Sequence, residues 1–193
     1  MKKICLMIFI GVSLFSCSKG EMDRTIFIPD DDDATLPAYT EWGYNSFGAE
    51  YDRDYFLVSN SIAPCKITYR NNQLQFALFG VVHSTQKEMT LQFTIPTASP
   101  MKDLQDLLLL HNRKISIPDS CSVKISQSTD TVITVIGGEL YFKRAQLLSI
   151  DDQMNRIILS GTFDLQLLKD GFPVTISNGR FDVGIPKKVF FSY

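Results

Sequence analysis

In residues 89–96, MTLQFTIP, apolar and polar side chains alternate without a break. Met89, Leu91, Phe93 and Ile95 fall on one side of an extended chain, and Thr90, Gln92 and Thr94 on the other. QLQFALFGVV at 73–82 repeats the pattern with Leu74, Phe76, Leu78 and Val82, and NRIILSGTFDLQLL at 155–168 with Ile157, Leu159, Phe163, Leu165 and Leu167. A period of two marks strands with one buried face, the habit of antiparallel sheets. Further strand-like runs stand near 54–59, 64–70, 114–118, 122–127, 131–136 and 138–150. Asn71-Asn72, Asp151-Asp152 and Lys169-Asp170-Gly171 supply turns between several of them. The pattern predicts an all-β domain, an antiparallel β-sandwich or flattened barrel of about 9–10 strands.

Two irregularities stand out. Along 172–185 Val174 and Ile176 share one parity while Phe181, Val183 and Ile185 share the other. One extra residue would return both sets to a common face, which predicts a β-bulge at Asn178-Gly179, with glycine taking positive φ. One short helix is expected after Ser99, with Ser99 as cap, Pro100 at the first helical position, and Met101, Leu104, Leu107 and Leu108 at helical spacing. It is too short to span a membrane and is expected to plug an open end of the sheet.

Before the alternating region lies a different kind of sequence. Lys2 and Lys3 precede an uncharged run, 4–15, too short for a membrane span and suited to a signal-peptide core. It ends Leu14-Phe15-Ser16-Cys17, which resembles the lipobox of bacterial lipoproteins; Phe15 stands where a small residue is usual. The resemblance implies that 1–16 is removed and that Cys17 carries acyl chains. Each buried methylene contributes about 0.8 kcal/mol, and two or more chains hold a protein stably on a bilayer. Residues 17–40 contain Pro29, Pro37 and four successive aspartates, Asp30 to Asp33, and are expected to form an acidic flexible tether. Calcium would need spaced ligands and a glycine turn, so the run is expected to be a solvated spacer. Residues 41–193 are then the β domain.

The whole chain has a net charge of −2, and losing Lys2 and Lys3 makes the remainder more acidic. That argues against nucleic acid, whose binding needs clustered basic charge. Two cysteines remain beyond Cys17. Cys65 and Cys121 are either a disulfide, which an exported chain permits, or two buried thiols.

LSGTFDLQLL, then Asp170-Gly171 and VTISNGRFDVGI, with FGAEYD at 47–52, resemble a group of small lipoproteins of Bacteroidota whose domain has no assigned function. Gly161 and Phe163 match the group's first motif, and Ser177, Gly179 and Phe181 its closing strand. The resemblance implies architecture and no activity. Ser18 is not the aspartate that resembles an inner-membrane retention signal, and SKGE at 18–21 partly resembles the export stretch of Bacteroidota lipoproteins, so an outer-membrane location is expected, with the periplasmic or cell-surface face open.

The residues suggest no catalytic constellation, metal site or cofactor. His83 is expected in a loop and His111 in the last turn of the helix, neither with zinc-ligand spacing. Paired acids could serve a glycosidase, but Asp151 and Asp152 are expected in a turn. Asp164 and Asp182 are expected on exposed strand faces near Arg180. Aromatics cluster at the domain entry, including Trp42, Tyr44, Tyr51 and Tyr55. They either seal one edge of the core or offer rings for stacking on a sugar. The expectation is a non-catalytic, lipid-anchored binding or structural envelope protein, with a glycan-binding accessory protein or a fimbria-like adhesin subunit as alternatives. Its partners would be the membrane, through the anchor, and a glycan or envelope protein; the oligomeric state stays open.

Overall fold

The computed structural model describes residues 23–59, 64–127, 132–150 and 153–192. Eleven strands alternate with tight turns: β1 (Ser46–Tyr51), β2 (Asp54–Val58), β3 (Cys65–Arg70), β4 (Gln73–Val82), β5 (Lys87–Pro96), β6 (Arg113–Ile117), β7 (Ser122–Gln127), β8 (Ile133–Ile150), β9 (Gln153–Lys169), β10 (Phe172–Pro186) and β11 (Phe190–Ser192). They form one curled sheet in the order β11-β3-β4-β2-β1-β10-β9-β8-β6, with β5 on the other edge of β4 and β7 beyond it. Every pairing is antiparallel except β11 with β3. This is the expected all-β, flattened-barrel architecture.

The curl comes from β4. Its first half pairs with β3 and its last residues, Gly80 to Val82, with β2 on the same edge. Phe76 and Phe93, from β4 and β5, therefore meet Phe142, Phe163 and Phe181, from β8, β9 and β10. Ring centroids lie 5.2 Å apart for Phe76–Phe181 and 5.9 Å for Phe93–Phe163. All five rings are almost fully buried, so the alternation read from sequence is the inner face of one sheet folded over itself.

Two hairpins turn on two residues with positive φ, Asn71-Asn72 and Asp170-Gly171, whose backbone twist matches the flanking strands. The β10 bulge forms. Ile176 pairs with Leu165 and Gly179 with Phe163, so three steps on β10 oppose two on β9. The left-handed residue is Asn178 (φ 52°), not the glycine. Gly179 is required for a different reason: a Cβ there would lie 2.3 Å from the Phe163 carbonyl oxygen.

Other expectations need correction. The expected segments 131–136 and 138–150 are not separate strands: one strand, β8, runs from Ile133 to Ile150 and absorbs Gly137-Gly138 as a register shift. The helix is a 3-10 helix over Leu104–Leu110, starting after Asp103 rather than Ser99. The Asp106 carboxylate accepts from the N–H groups of Lys102 (2.7 Å) and Asp103 (2.9 Å), fixing that start. A three-residue turn brings Leu104, Leu107 and Leu110 to one buried face against β8 and β9, and leaves Leu108 part exposed.

The acidic segment is also corrected where it is described, from residue 23 onward. Leu36 is buried, Asp30 N donates to Leu36 O (3.0 Å), and Ala38 N donates to Ile28 O (2.7 Å). Within the aspartate run, Asp30 accepts from Asp32 N and Asp33 accepts from Thr35 N, and the Asp30 carboxylate pairs with Arg180. The run is a turn clamped to β10, not an open spacer. Pro37 rests on Gly48, where a Cβ would lie 2.5 Å from its ring. Residues 1–22, including the signal segment and Cys17, lie outside the described residues, as do Asp151 and Asp152.

Candidate functional site

The segment from 23 to 44 covers the outer face of β1, β10 and β9, and Asp182 holds it there. Phe181 and Val183 point into the core, so Asp182 faces outward, yet it is only 1 % exposed. Its Oδ1 accepts from Gly43 N (2.8 Å) and Ser160 Oγ (2.8 Å). Its Oδ2 accepts from Trp42 N (3.1 Å), Tyr44 N (3.2 Å) and the Thr40 hydroxyl. The expectation of a solvated surface carboxylate is wrong, because the outer face of this strand is covered by chain from elsewhere. With five donors on two oxygens the carboxylate has no free lone pair for a reacting molecule. It is a structural clamp. Asn45 adds a second fastening, accepting from Gly184 N at 3.0 Å.

The clamp has a consequence for Trp42. Its amide is pinned to a buried carboxylate, while its side chain is 71 % exposed. A cleft of about 450 Å³ lies beside it, lined by Tyr39, Thr40, Glu41, Trp42, Arg144 and Gln146. These polar groups order one another: Gln146 Nε2 donates to Glu41 O (2.7 Å), and Arg144 Nε to Gln146 Oε1 (3.0 Å). Tyr39 Oη donates to Glu41 Oε1 at 3.0 Å, and the Lys143 ammonium lies 4.6 Å from the Tyr39 ring centre. Burial, then Glu41, pushes the Tyr39 phenol well above its ordinary value, so it remains a donor. On the other flank of Trp42 a smaller cleft of about 280 Å³ is lined by Arg24, Ile26, Tyr44, Leu148 and Arg156 among others.

The four aromatic candidates divide. Trp42 and Tyr44 come together at the smaller cleft. Tyr51, at the far end of β1, is buried under Lys169, whose ammonium is 5.3 Å from the ring centre, and its hydroxyl accepts from Gln127 Nε2 (3.1 Å). Tyr55, on β2, sits edge-on to His83 at 6.3 Å, and its phenol is raised by a hydrogen bond to Asp33. There is no single aromatic platform. Tyr39, Glu41, Arg144, Gln146 and Asp182 were not anticipated as partners of Trp42. The apolar triplet Ile157-Ile158-Leu159 was the available signal, since consecutive apolar residues mark a strand buried on both faces.

A third cleft, also about 450 Å³, opens at the Tyr51 end, where Asp52, Arg53, Asp54, Lys87 and Lys169 mix charges of both signs. Asp54 is already committed there, accepting from Tyr55 N (2.8 Å), Ser84 N (3.1 Å) and the Ser84 hydroxyl.

Of the two readings of Cys65 and Cys121 the structure shows the second: both are free, buried thiols. Cys65 lies in register with Leu78, Leu91 and Ile125, so three strand spacings and four residues of offset separate it from Cys121. That is on the order of 15–20 Å, against a limit of roughly 7 Å between bridged Cα atoms. Burial pushes the Cys65 thiol up to about 12 and that of Cys121 to about 11, which keeps both unreactive near neutral pH. His83 is exposed in a turn, and His111 caps the 3-10 helix while its Nδ1 accepts from Ala145 N (3.3 Å). Asp164 is exposed and accepts from Asn178 N at 3.1 Å.

Among the described residues, no group of three His, Cys, Asp or Glu side chains is placed to hold a metal ion, and no helix is long and apolar enough to cross a membrane. Comparison with protein-family models, with curated proteins and with solved structures gives no match, so the cleft is interpreted from its own geometry.

Proposed function

We propose that this protein is a lipid-anchored outer-membrane lipoprotein that binds rather than converts its ligand, and that the ligand at Trp42 is a saccharide. The observation that carries the binding part is an indole 71 % exposed on a backbone fixed by a buried carboxylate. Leaving a large aromatic ring in water forgoes its burial, which is worth about 1.5–3 kcal/mol for a large apolar side chain. A locked loop loses little further freedom when the ring meets a partner. Sugars suit the site because one pyranose face is apolar and its rim carries hydroxyls. The indole meets the face, while Arg144, Gln146 and Glu41 border the rim with donors and acceptors. The anchor rests on the lipobox-like Leu14-Phe15-Ser16-Cys17.

Glycan-array and affinity-gel binding of wild type and Trp42→Ala tests the site. Retention of wild type by a subset of glycans, lost in the variant, is the expected result; no binding by either removes the saccharide reading. Replacing Cys17 by alanine tests the anchor separately: the variant is expected in the aqueous phase of a detergent partition, and unchanged partition into lipid would remove it.

A further inference from the structure

We propose that the strip Ile26-Phe27-Ile28 is a bilayer-contact surface, so that the domain touches the lipid along this strip, beside the Trp42 cleft, instead of standing off on a tether. The inference rests on the lipid-anchor reading of Cys17 and deepens it. Three consecutive large apolar residues are exposed here, by 45 %, 45 % and 41 %. They are not loose chain: Ile26 N donates to Tyr44 O (2.8 Å) and Ile28 O accepts from Ala38 N (2.7 Å), so the strip is fastened to the domain on both sides.

The leash is short because the domain captures the chain early. Asp23 pairs with buried Arg156 (3.1 Å) and with Lys188 (2.6 Å). Only six peptide steps separate it from Cys17, which spans at most about 22 Å even fully extended. The strip begins three residues further on. Whatever the orientation, the anchor's chains and this apolar patch are held in the same neighbourhood. Burying the patch in the interface removes apolar area from water without lengthening the leash.

The charges around it set how deep it goes. Arg24 is exposed just before the strip and can meet phosphate groups, whereas exposed Asp31 and Asp32 lie just past Pro29 and stay in water. The arrangement suits shallow contact with a zwitterionic surface better than a strongly anionic one.

Phe172, the most exposed phenylalanine among the described residues, provides the control. Phe172 is 73 % exposed at the β9–β10 turn, ten residues along β10 from Asp182 and roughly 30 Å away at strand spacing. Phe27→Cys and Phe172→Cys are made in the full-length lipidated protein, where Cys65 and Cys121 are buried. Each is labelled with a polarity-sensitive fluorophore and placed on phosphatidylcholine vesicles with brominated acyl chains. The label at 27 is expected to shift to the blue and be quenched, while the label at 172 keeps its emission in water. Co-flotation with vesicles but no difference between the two labels overturns the orientation and leaves the anchor standing. Failure to float with vesicles overturns the anchor and this inference together.

Discussion

The two faces of the central sheet are held by different physics. On the inner face, five phenylalanine rings from β4, β5, β8, β9 and β10 pack edge and face against one another. On the outer face, one carboxylate gathers four donors from a segment about 140 residues away in sequence and a fifth from Ser160 on β9. The burial of apolar area that these rings supply is non-directional. A buried carboxylate fixes specific amides at specific distances and leaves costly unpaired groups if it is removed. The inner face therefore makes the fold, and the outer face makes the position of Trp42.

Breaking the inner face has the largest expected effect. Phe76→Ala or Phe181→Ala should cost about 3–5 kcal/mol, because the ring's burial is lost and neighbouring rings cannot fully collapse into the space. Urea unfolding would show this as a lower midpoint, with every spectroscopic probe moving together. Asp182→Ala sharpens the contrast. It should cost about 2–4 kcal/mol, since three backbone N–H groups and two hydroxyls lose their acceptor. The loss should be local first: emission from Trp42, the single tryptophan, should change at lower urea than far-UV circular dichroism.

The smallest effects belong to the ion pairs along the covering segment. Arg180→Ala, which frees Asp30, should lower the urea midpoint least of these variants, as expected of an ion pair near the surface. Acid acts on the same contacts. Asp23 is held below its ordinary value of 3.8, first by its hydrogen bond to Lys188. Asp30 is lowered first by the Asp32 amide, with Arg180 contributing. Groups depressed in the folded state stabilise it above their unfolded value, and that contribution is lost as pH falls through the folded value. Docking of the segment should thus hold near neutral pH and weaken below about pH 4. A pH titration of Trp42 emission at fixed low urea would register it before the strands melt.

The same contrast explains what was legible in the sequence. Inner-face strands announce themselves by alternation, and β3 to β7, β9 and β10 fall close to where Leu74, Phe93, Phe163 and Val183 place them. The bulge was readable because Ile176 and Phe181 have opposite parity. β1 was not: Ser46 to Ala49 are all buried, with one face in the core and the other under the covering segment, so no period of two appears. Asp182 was misplaced for the same reason, since alternation says which way a residue points and nothing about what lies beyond it. Trp42 was named from its residue type alone. Its neighbours Arg144 and Gln146 lie about 100 residues away, and only the pairing of β8 with β9 and β10 brings them there. The aspartate run misled because charge repulsion was weighed without the Arg180 that receives it.

Amide hydrogen exchange at Trp42, Gly43 and Tyr44, in wild type and Asp182→Asn, tests most directly whether a buried carboxylate fixes the loop that presents the indole. Wild type should protect all three amides to nearly the level of the β9–β10 ladder, and the variant should lose that protection while Phe163 and Phe181 keep theirs. Rapid exchange of the three amides in wild type, or equal protection in both proteins, would contradict the account.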